Sequence, residues 1–204
     1  MTNFLGIEID YKLTFNAHIL SIFNKVSKFQ GLFYRLSDFL PLSALLKIYF
    51  GLFYSNITYG ILAWGCAANS VVDKLFVVQK KIVKIICGKS IYDSSTESFL
   101  KLSALKLNDV SKFFCLNHMF KVFRDSNGTY DYLLQFMSSY QPTHEYNTRD
   151  RPLRLPTVSK ERYRQSFIYQ GTKLWNDIPN SMKELNSLYT FKRHCKSLLI
   201  DQYK

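Results

Sequence analysis

ALLKIYFGLFYSNITYGILAWGCAANSVVDKLFVVQKKIVKIICG, residues 44–88, joins an aromatic run to a lysine-bearing amphipathic one, and its second half decides the fold. No residue between Lys47 and Asp73 is charged, a length sufficient on paper to cross a bilayer. From Leu75, however, the apolar residues Leu75, Val78, Ile82 and Ile85 recur at steps of three and four, the spacing of one buried helix face. Lys80, Lys81 and Lys84 gather on another face, where they can meet a polyanion while the apolar side packs on the helix before it. Gly88 supplies the C-terminal stop. Within the aromatic half, Ser55, Asn56 and Thr58 would each need a partner in hydrocarbon. Leu45–Trp64 is therefore expected as a buried helix of a soluble domain, with a single membrane pass over Ile48–Cys66 as the weaker alternative.

A chain of 204 residues is long enough to bury about 70% of its unfolded surface, so its core needs no staples. Hydrophobic residues at 47% and aromatics at 16% exclude disorder and predict an interior built from Phe, Tyr and Leu. Lys and Arg number 27 against 15 acids, a net charge of +12 with a pI near 9.5, which favours an anionic partner. Charge alone does not choose between nucleic acid and an acidic membrane face. Cys66, Cys87, Cys115 and Cys195 are widely separated, two of them in apolar helical runs, and read as reduced core residues of an intracellular protein, cytoplasmic or nuclear. Glu8 and Asp10 interrupt any signal peptide or presequence.

The expected fold class is mainly α: a helical bundle with a short N-terminal strand and a C-terminal helical segment. Five segments are expected: a strand unit over 1–15, a bundle over 16–90, a helical extension over 91–140, a basic Pro/Arg-rich connection over 141–165 and helices over 166–204. In NFLGIEI, residues 3–9, Leu5, Ile7 and Ile9 alternate with Phe4, Gly6 and Glu8, predicting one strand turned by Asp10 and Tyr11. Its neighbours are expected from later in the chain or from another polypeptide, a first sign of a fragment. A helix follows from Asn16, with Ile19, Ile22, Val26, Phe29, Phe33 and Leu36 inward and Lys25, Lys28 and Arg35 off that stripe. Pro41 ends it and Ser43 can begin the next. Ser94 and Glu97 have the spacing of a capping box, and Asn108 or Asp109 can cap a helix whose apolar side carries Val110, Phe113, Phe114, Phe120 and Phe123, closed by Asn127-Gly128. Ser166–Pro179 predicts a short helix ending at Ile178. Ser187 or Thr190 can open the last one, with Phe191, Cys195, Leu198 and Leu199 inward and Lys192, Arg193 and Lys196 outward.

No catalytic or metal-binding set emerges. Two-metal nucleotidyl transfer needs converging carboxylates, commonly an aspartate pair, and no Asp-Asp occurs. Glu8 and Asp10 would share a strand face and can at most offer one Mg2+ a solvated pair. His18, His118, His144 and His194 lack zinc-site spacing, and there is no C-x-x-C. The candidate binding residues are basic: Lys80, Lys81 and Lys84 on the amphipathic helix, and Arg149, Arg151, Arg154, Arg162 and Arg164 in the Pro/Arg-rich segment. Lysines on an outer helix face are most often just a solvated surface, but these clusters agree with the net charge. Contact with phosphates is expected, without base readout.

Together these stretches resemble the C-terminal end of the reverse transcriptase of non-LTR retrotransposons, a transposable-element RNA-directed DNA polymerase of the jockey or CR1-like kind. The residues that carry the resemblance are FLGIEID from Phe4 followed by LTFNAHI, LPLSALLKIYFGLFYSNITYGILAWG, LFVVQKKIVKIICG, THEYNTR at Thr143–Arg149, and KLWNDIP followed by TFKRHCKSLL. They come in the family's order. The resemblance implies that the FLGI strand ends the palm and that the following helices form the thumb, which grips RNA or DNA as template-primer duplex. It places Lys80, Lys81 and Lys84 on the thumb helix and makes Tyr59, Trp64, Leu174 and Trp175 packing residues. It also implies that the fingers and the metal-binding aspartates lie outside these 204 residues. The chain is then expected to be inactive alone and to carry no cofactor, Mg2+ serving only the full-length polymerase. The missing polymerase core is a further expected partner, and a membrane is not. The alternative is a stand-alone basic nucleic-acid-binding or scaffolding module.

Overall fold

In the computed structural model, which describes residues 1–65, 67, 69–137, 153, 155, 158 and 160–204, the stretch whose alternation predicts one strand folds back on itself. Strand β1 (Thr2–Phe4) pairs antiparallel with β2 (Ile7–Ile9) in the register Thr2↔Ile9, Asn3↔Glu8, Phe4↔Ile7. Leu5 and Gly6, with φ of 48° and 79°, make the two-residue turn whose twist suits a hairpin. The strand therefore finds a partner within residues 2–9, where one from later in the chain or from another polypeptide is expected. The turn also puts Phe4 on the face of Ile7, reversing the side that simple alternation assigns it.

Asp10 then ties the chain into the first helix. Its carboxylate accepts from the backbone N–H groups of Lys12 (2.9 Å), Thr14 (2.9 Å) and Phe15 (2.8 Å) and from the Thr14 hydroxyl (2.8 Å). Desolvation pushes its pKa up, but those four bonds outweigh it and hold the value at about 2. Helices α1 (Asn16–Ser27) and α2 (Phe29–Ser37) form where one helix is expected, divided at Lys28, which itself keeps right-handed helical angles. Ile19, Ile22, Val26 and Phe33 are buried, and Lys25, Lys28 and Arg35 are exposed, as the stripe predicts.

The aromatic run does not form the single expected helix. Helix α3 (Leu42–Ile48) starts directly after the extended Pro41, ahead of Ser43, and is followed by a π-helical stretch, Tyr49–Tyr54, then α4 (Ser55–Thr58). Tyr59 leaves helical geometry (ψ 119°), Gly60 takes φ 62°, and α5 (Ile61–Trp64) begins anew. The polar residues satisfy themselves locally: Ser55 Oγ donates to Gly51 O, Asn56 Nδ2 to Leu52 O (2.6 Å) and Thr58 Oγ1 to Tyr54 O (2.9 Å). Among the described residues no helix is long and apolar enough to cross a membrane.

Helix α6 (Asn69–Ile86) is the central element of its unit and packs against α1, α2, α3 and α7 (Ser95–Leu102). Leu75, Val78 and Ile82 are buried as expected, joined by Val72, Val83 and Ile86. Gly88 adopts φ 65°, with Gly88 N–H donating to Ile85 O (3.0 Å) and Lys89 N–H to Lys84 O (2.9 Å), the double closure that a left-handed glycine permits. Ser94 caps α7 through Thr96 N–H (3.3 Å), but Glu97 does not complete the box. It pairs with Lys89 at 2.5 Å.

Helix α8 (Leu107–Phe123) begins before Asn108 and Asp109, so neither is its cap. Two side chains from elsewhere serve its first turn: Leu107 N–H donates to Gln79 Oε1 (2.8 Å), and Lys106 N–H to the Tyr203 hydroxyl (2.9 Å). Tyr203 in turn donates to buried Asp109 (2.7 Å), and Lys106 Nζ lies 4.0 Å from its ring centre. Burial of Tyr203 and its hydrogen bond to Asp109 push the phenol pKa upward, so its contribution is complete below pH 10 and lost as pH rises beyond. Tyr203→Phe removes that donor and acceptor. It is expected to cost about 2 kcal/mol, read as a lower urea midpoint with an unchanged slope.

The chain divides into two compact units, Met1–Ser111 with Leu198–Lys204, and Lys112–Ser197. The second unit contains most of α8, α9 (Asp131–Leu134), α10 (Glu161–Arg164), α11 (Phe167–Asp177), α12 (Asn180–Lys183) and the start of α13 (Leu188–Asp201). Its core is aromatic. Phe120 stacks on Phe191 with centroids 4.4 Å apart and Phe123 on Trp175 at 5.0 Å, while Gly171 lets α11 approach so closely that an added Cβ would stand 2.7 Å from Met119 Sδ. Ile178 ends α11, as expected, and Ser166 caps its start.

Candidate nucleic-acid interface

A phosphate-binding surface needs cations that the fold has not already engaged. The structure sorts the sequence-predicted ones accordingly. On α6, Lys81 is exposed and Lys80 and Lys84 are half-buried. Lys80 Nζ lies 4.8 Å from the centre of the Phe76 ring, and Lys84 Nζ donates to Ile91 O (2.7 Å), holding the turn after Gly88. Helical periodicity spreads the three lysines over about 100° of arc and puts exposed Lys74 on the stripe of Lys81, two turns before it. Asp73 lies two turns before Lys80 on the same stripe, a negative charge that the lysine spacing alone does not reveal.

In the second unit, Arg162 and Arg164 are exposed on the single turn of α10. Arg162 Nη1 donates to Gln165 Oε1 (3.2 Å) and Arg164 Nη1 stands 3.6 Å from Glu161 Oε2. At that exposure such a pair contributes little to stability and leaves the guanidinium available to exchange partners. Arg149, Arg151 and Arg154 lie outside the described residues. Next to them, Leu153 is held by both ends of the Asn176 amide, its N–H donating to Oδ1 (2.9 Å) and its carbonyl accepting from Nδ2 (2.9 Å). The basic segment is thus pinned to α11 at one described point.

Of the pair Glu8 and Asp10, Asp10 is engaged by its own chain, both of its oxygens accepting hydrogen bonds from the residues that follow. Among the described residues no group of three His, Cys, Asp or Glu side chains could hold a metal ion. His18 is buried and accepts from Glu8 N–H at Nδ1 (3.4 Å), and desolvation lowers its pKa, outweighing the opposing charge of Glu8. Desolvation likewise lowers the pKa of His118, whose ring sits edge-on to Tyr130 and Phe167. His194 is exposed, and His144 lies outside the described residues. Cys115 and Cys195 are buried and Cys87 half-buried, all three as thiols; Cys66 lies outside the described residues.

Comparison with known proteins finds two partial relatives. Over 89 residues, 42% of its length, the chain is 34% identical to the probable RNA-directed DNA polymerase from transposon X-element of Drosophila melanogaster. Over 110 residues, 52% of its length, it is 31% identical to the RNA-directed DNA polymerase from mobile element jockey of the same organism. The matches cover 10% and 12% of those proteins, so the chain corresponds to only a small part of the curated relatives it matches. No family profile matches the sequence, and no solved structure matches it either. Across about half its residues, then, this basic, mainly helical chain is similar to RNA-directed DNA polymerases of mobile elements.

Proposed function

We propose that the chain is part of the RNA-directed DNA polymerase of a jockey- or CR1-like non-LTR retrotransposon: the end of the palm, the thumb and the region after it. In this reading its basic surface grips template-primer duplex without reading sequence, and the polymerase core is its natural partner. The catalytic aspartates and their Mg2+ belong to that core. It acts where nucleic acid is, in the cytoplasm or nucleus. The observation that carries the reading is the partial identity to two mobile-element polymerases. The net charge of +12 and the absence of any Asp-Asp pair are consistent with a part that holds nucleic acid rather than one that performs the chemistry.

Titration of the chain against an RNA–DNA hybrid at increasing salt tests it. Engagement of five phosphates gives a slope of about −4.5 in log affinity against log salt, with little difference between unrelated sequences. A parallel assay with Mg2+, primer-template and nucleotides is expected to show no extension. Failure to bind at low salt, or extension by this chain alone, would overturn the proposal.

A further inference from the structure

The basic face that the fold leaves least engaged is not on α6 but on α13. Between Glu184 and Asp201 the chain carries no acid, while Lys192, Arg193 and Lys196 fall in those sixteen residues. The roll of the helix is fixed from its buried side. Phe191, Cys195 and Leu199 are buried, and Phe191 is stacked on Phe120 and lies 6.0 Å, centroid to centroid, from Trp175. Flanking that buried side, helical periodicity gathers Lys192, Lys196, Tyr189 and Arg193 within about 100° of arc. Lys192 and Arg193 are exposed and Lys196 is half-buried. No described residue forms a hydrogen bond or ion pair with any of these three cations, whereas on α6 Lys84 is hydrogen-bonded to Ile91 O and Lys80 lies over the Phe76 ring.

Tyr189 distinguishes this face from a merely solvated one. Its ring is 75% exposed in the first turn, less than one turn from Lys192 and about one turn from Arg193. Tyr11, Phe39 and Tyr92 are exposed still further, but each is next in sequence to an aspartate, Asp10, Asp38 or Asp93, which disfavours a phosphate chain beside the ring. An exposed aromatic ring beside unengaged cations is the arrangement that binds unpaired nucleic acid: the ring stacks on a base while the cations meet the flanking phosphates. Along its length a duplex offers no free base face for the ring.

We infer that the outward face of α13, Tyr189 with Lys192, Arg193 and Lys196, is a docking site for single-stranded nucleic acid. The inference rests on the nucleic-acid-binding reading above and deepens it, assigning unpaired strand to α13. The full chain is titrated with a 20-nucleotide single strand and with a blunt RNA–DNA hybrid, comparing wild type with Tyr189→Ala, Tyr189→Phe and the double variant Lys192→Ala/Arg193→Ala. Tyr189→Ala is expected to weaken single-strand binding about tenfold and to leave the blunt hybrid within about twofold, and Tyr189→Phe, which keeps the π-face, to bind as wild type. The double variant is expected to flatten the single-strand salt slope by about 1.4, two phosphate contacts' worth. All substitutions are on the exposed face, so unchanged thermal melting is the folding control. If wild type binds and Tyr189→Ala and the double variant bind the single strand equally well, the inference falls and the thumb reading stands. If Tyr189→Ala weakens strand and hybrid alike, the assignment to unpaired strand is wrong. If wild type binds neither probe at low salt, both readings fall together.

Discussion

Gln79→Leu is expected to destabilise the first unit by about 4 kcal/mol, although leucine fills nearly the same volume. Gln79 is fully buried on α6 and uses both ends of its amide. Nε2 donates to the Tyr49 hydroxyl and to Leu105 O, both at 2.9 Å, and Oε1 accepts from Leu107 N–H at 2.8 Å. One side chain thereby serves the aromatic run, the loop before α8 and the first turn of α8. Leucine would leave a phenol, a carbonyl and an amide without that partner in a region water does not reach, at about 1–3 kcal/mol for each group that finds no other. Burial already pushes the Tyr49 phenol pKa upward, a sign of how dry the site is. Urea unfolding should show a lower midpoint at unchanged slope. A loss under about 1 kcal/mol would mean these groups re-pair on their own, and that Gln79 is not the junction of the unit.

Trp64→Ala is expected to cost a similar amount, about 3–5 kcal/mol, by a different route. Trp64 heads the largest fully buried side chains, so most of the loss is cavity. The remainder comes from its indole N–H, which donates to Tyr59 O at 2.9 Å. That carbonyl has been turned out of the helical ladder by the break at Tyr59 and Gly60, and the indole is what satisfies it. The effect should travel to the N-terminus, because the Tyr59 hydroxyl donates to Leu5 O in the hairpin turn. Amide exchange over residues 2–9 should therefore accelerate in Trp64→Ala, and less in Trp64→Phe, which retains most of the ring volume. Unchanged exchange there would show that the hairpin holds without the Tyr59 contact.

Both sites show where sequence reading stops. Gln79 stands within the buried face of α6, between Leu75 and Ile82, and matches no motif; only its three partners, at 49, 105 and 107, make it central. The hairpin was hidden because one strand and two three-residue strands joined by Leu-Gly show similar alternation. Asp109 has the residue type of a cap, yet in the fold it accepts from Tyr203, ninety-four residues away. The candidate interface was legible as a set of cations but not as a surface. The sequence cannot show that Lys84 is engaged by Ile91 O while Lys192 and Arg193 are exposed.

What the sequence determined by itself was local: the mainly helical class, the inward faces of α6 and α13, the Gly88 stop, the Ser94 cap and the end of α11 at Ile178. These depend on 3.6-residue periodicity and on hydrogen bonds spanning at most five residues, so the information lies within a few positions. Tertiary structure alone decided the fate of the aromatic run, the polar junction at Gln79, the return of Tyr203 to α8, and which cations stay available. Each of those depends on a buried polar or aromatic group finding its partner across a long stretch of chain, and such partners are fixed only when the packed core brings them together.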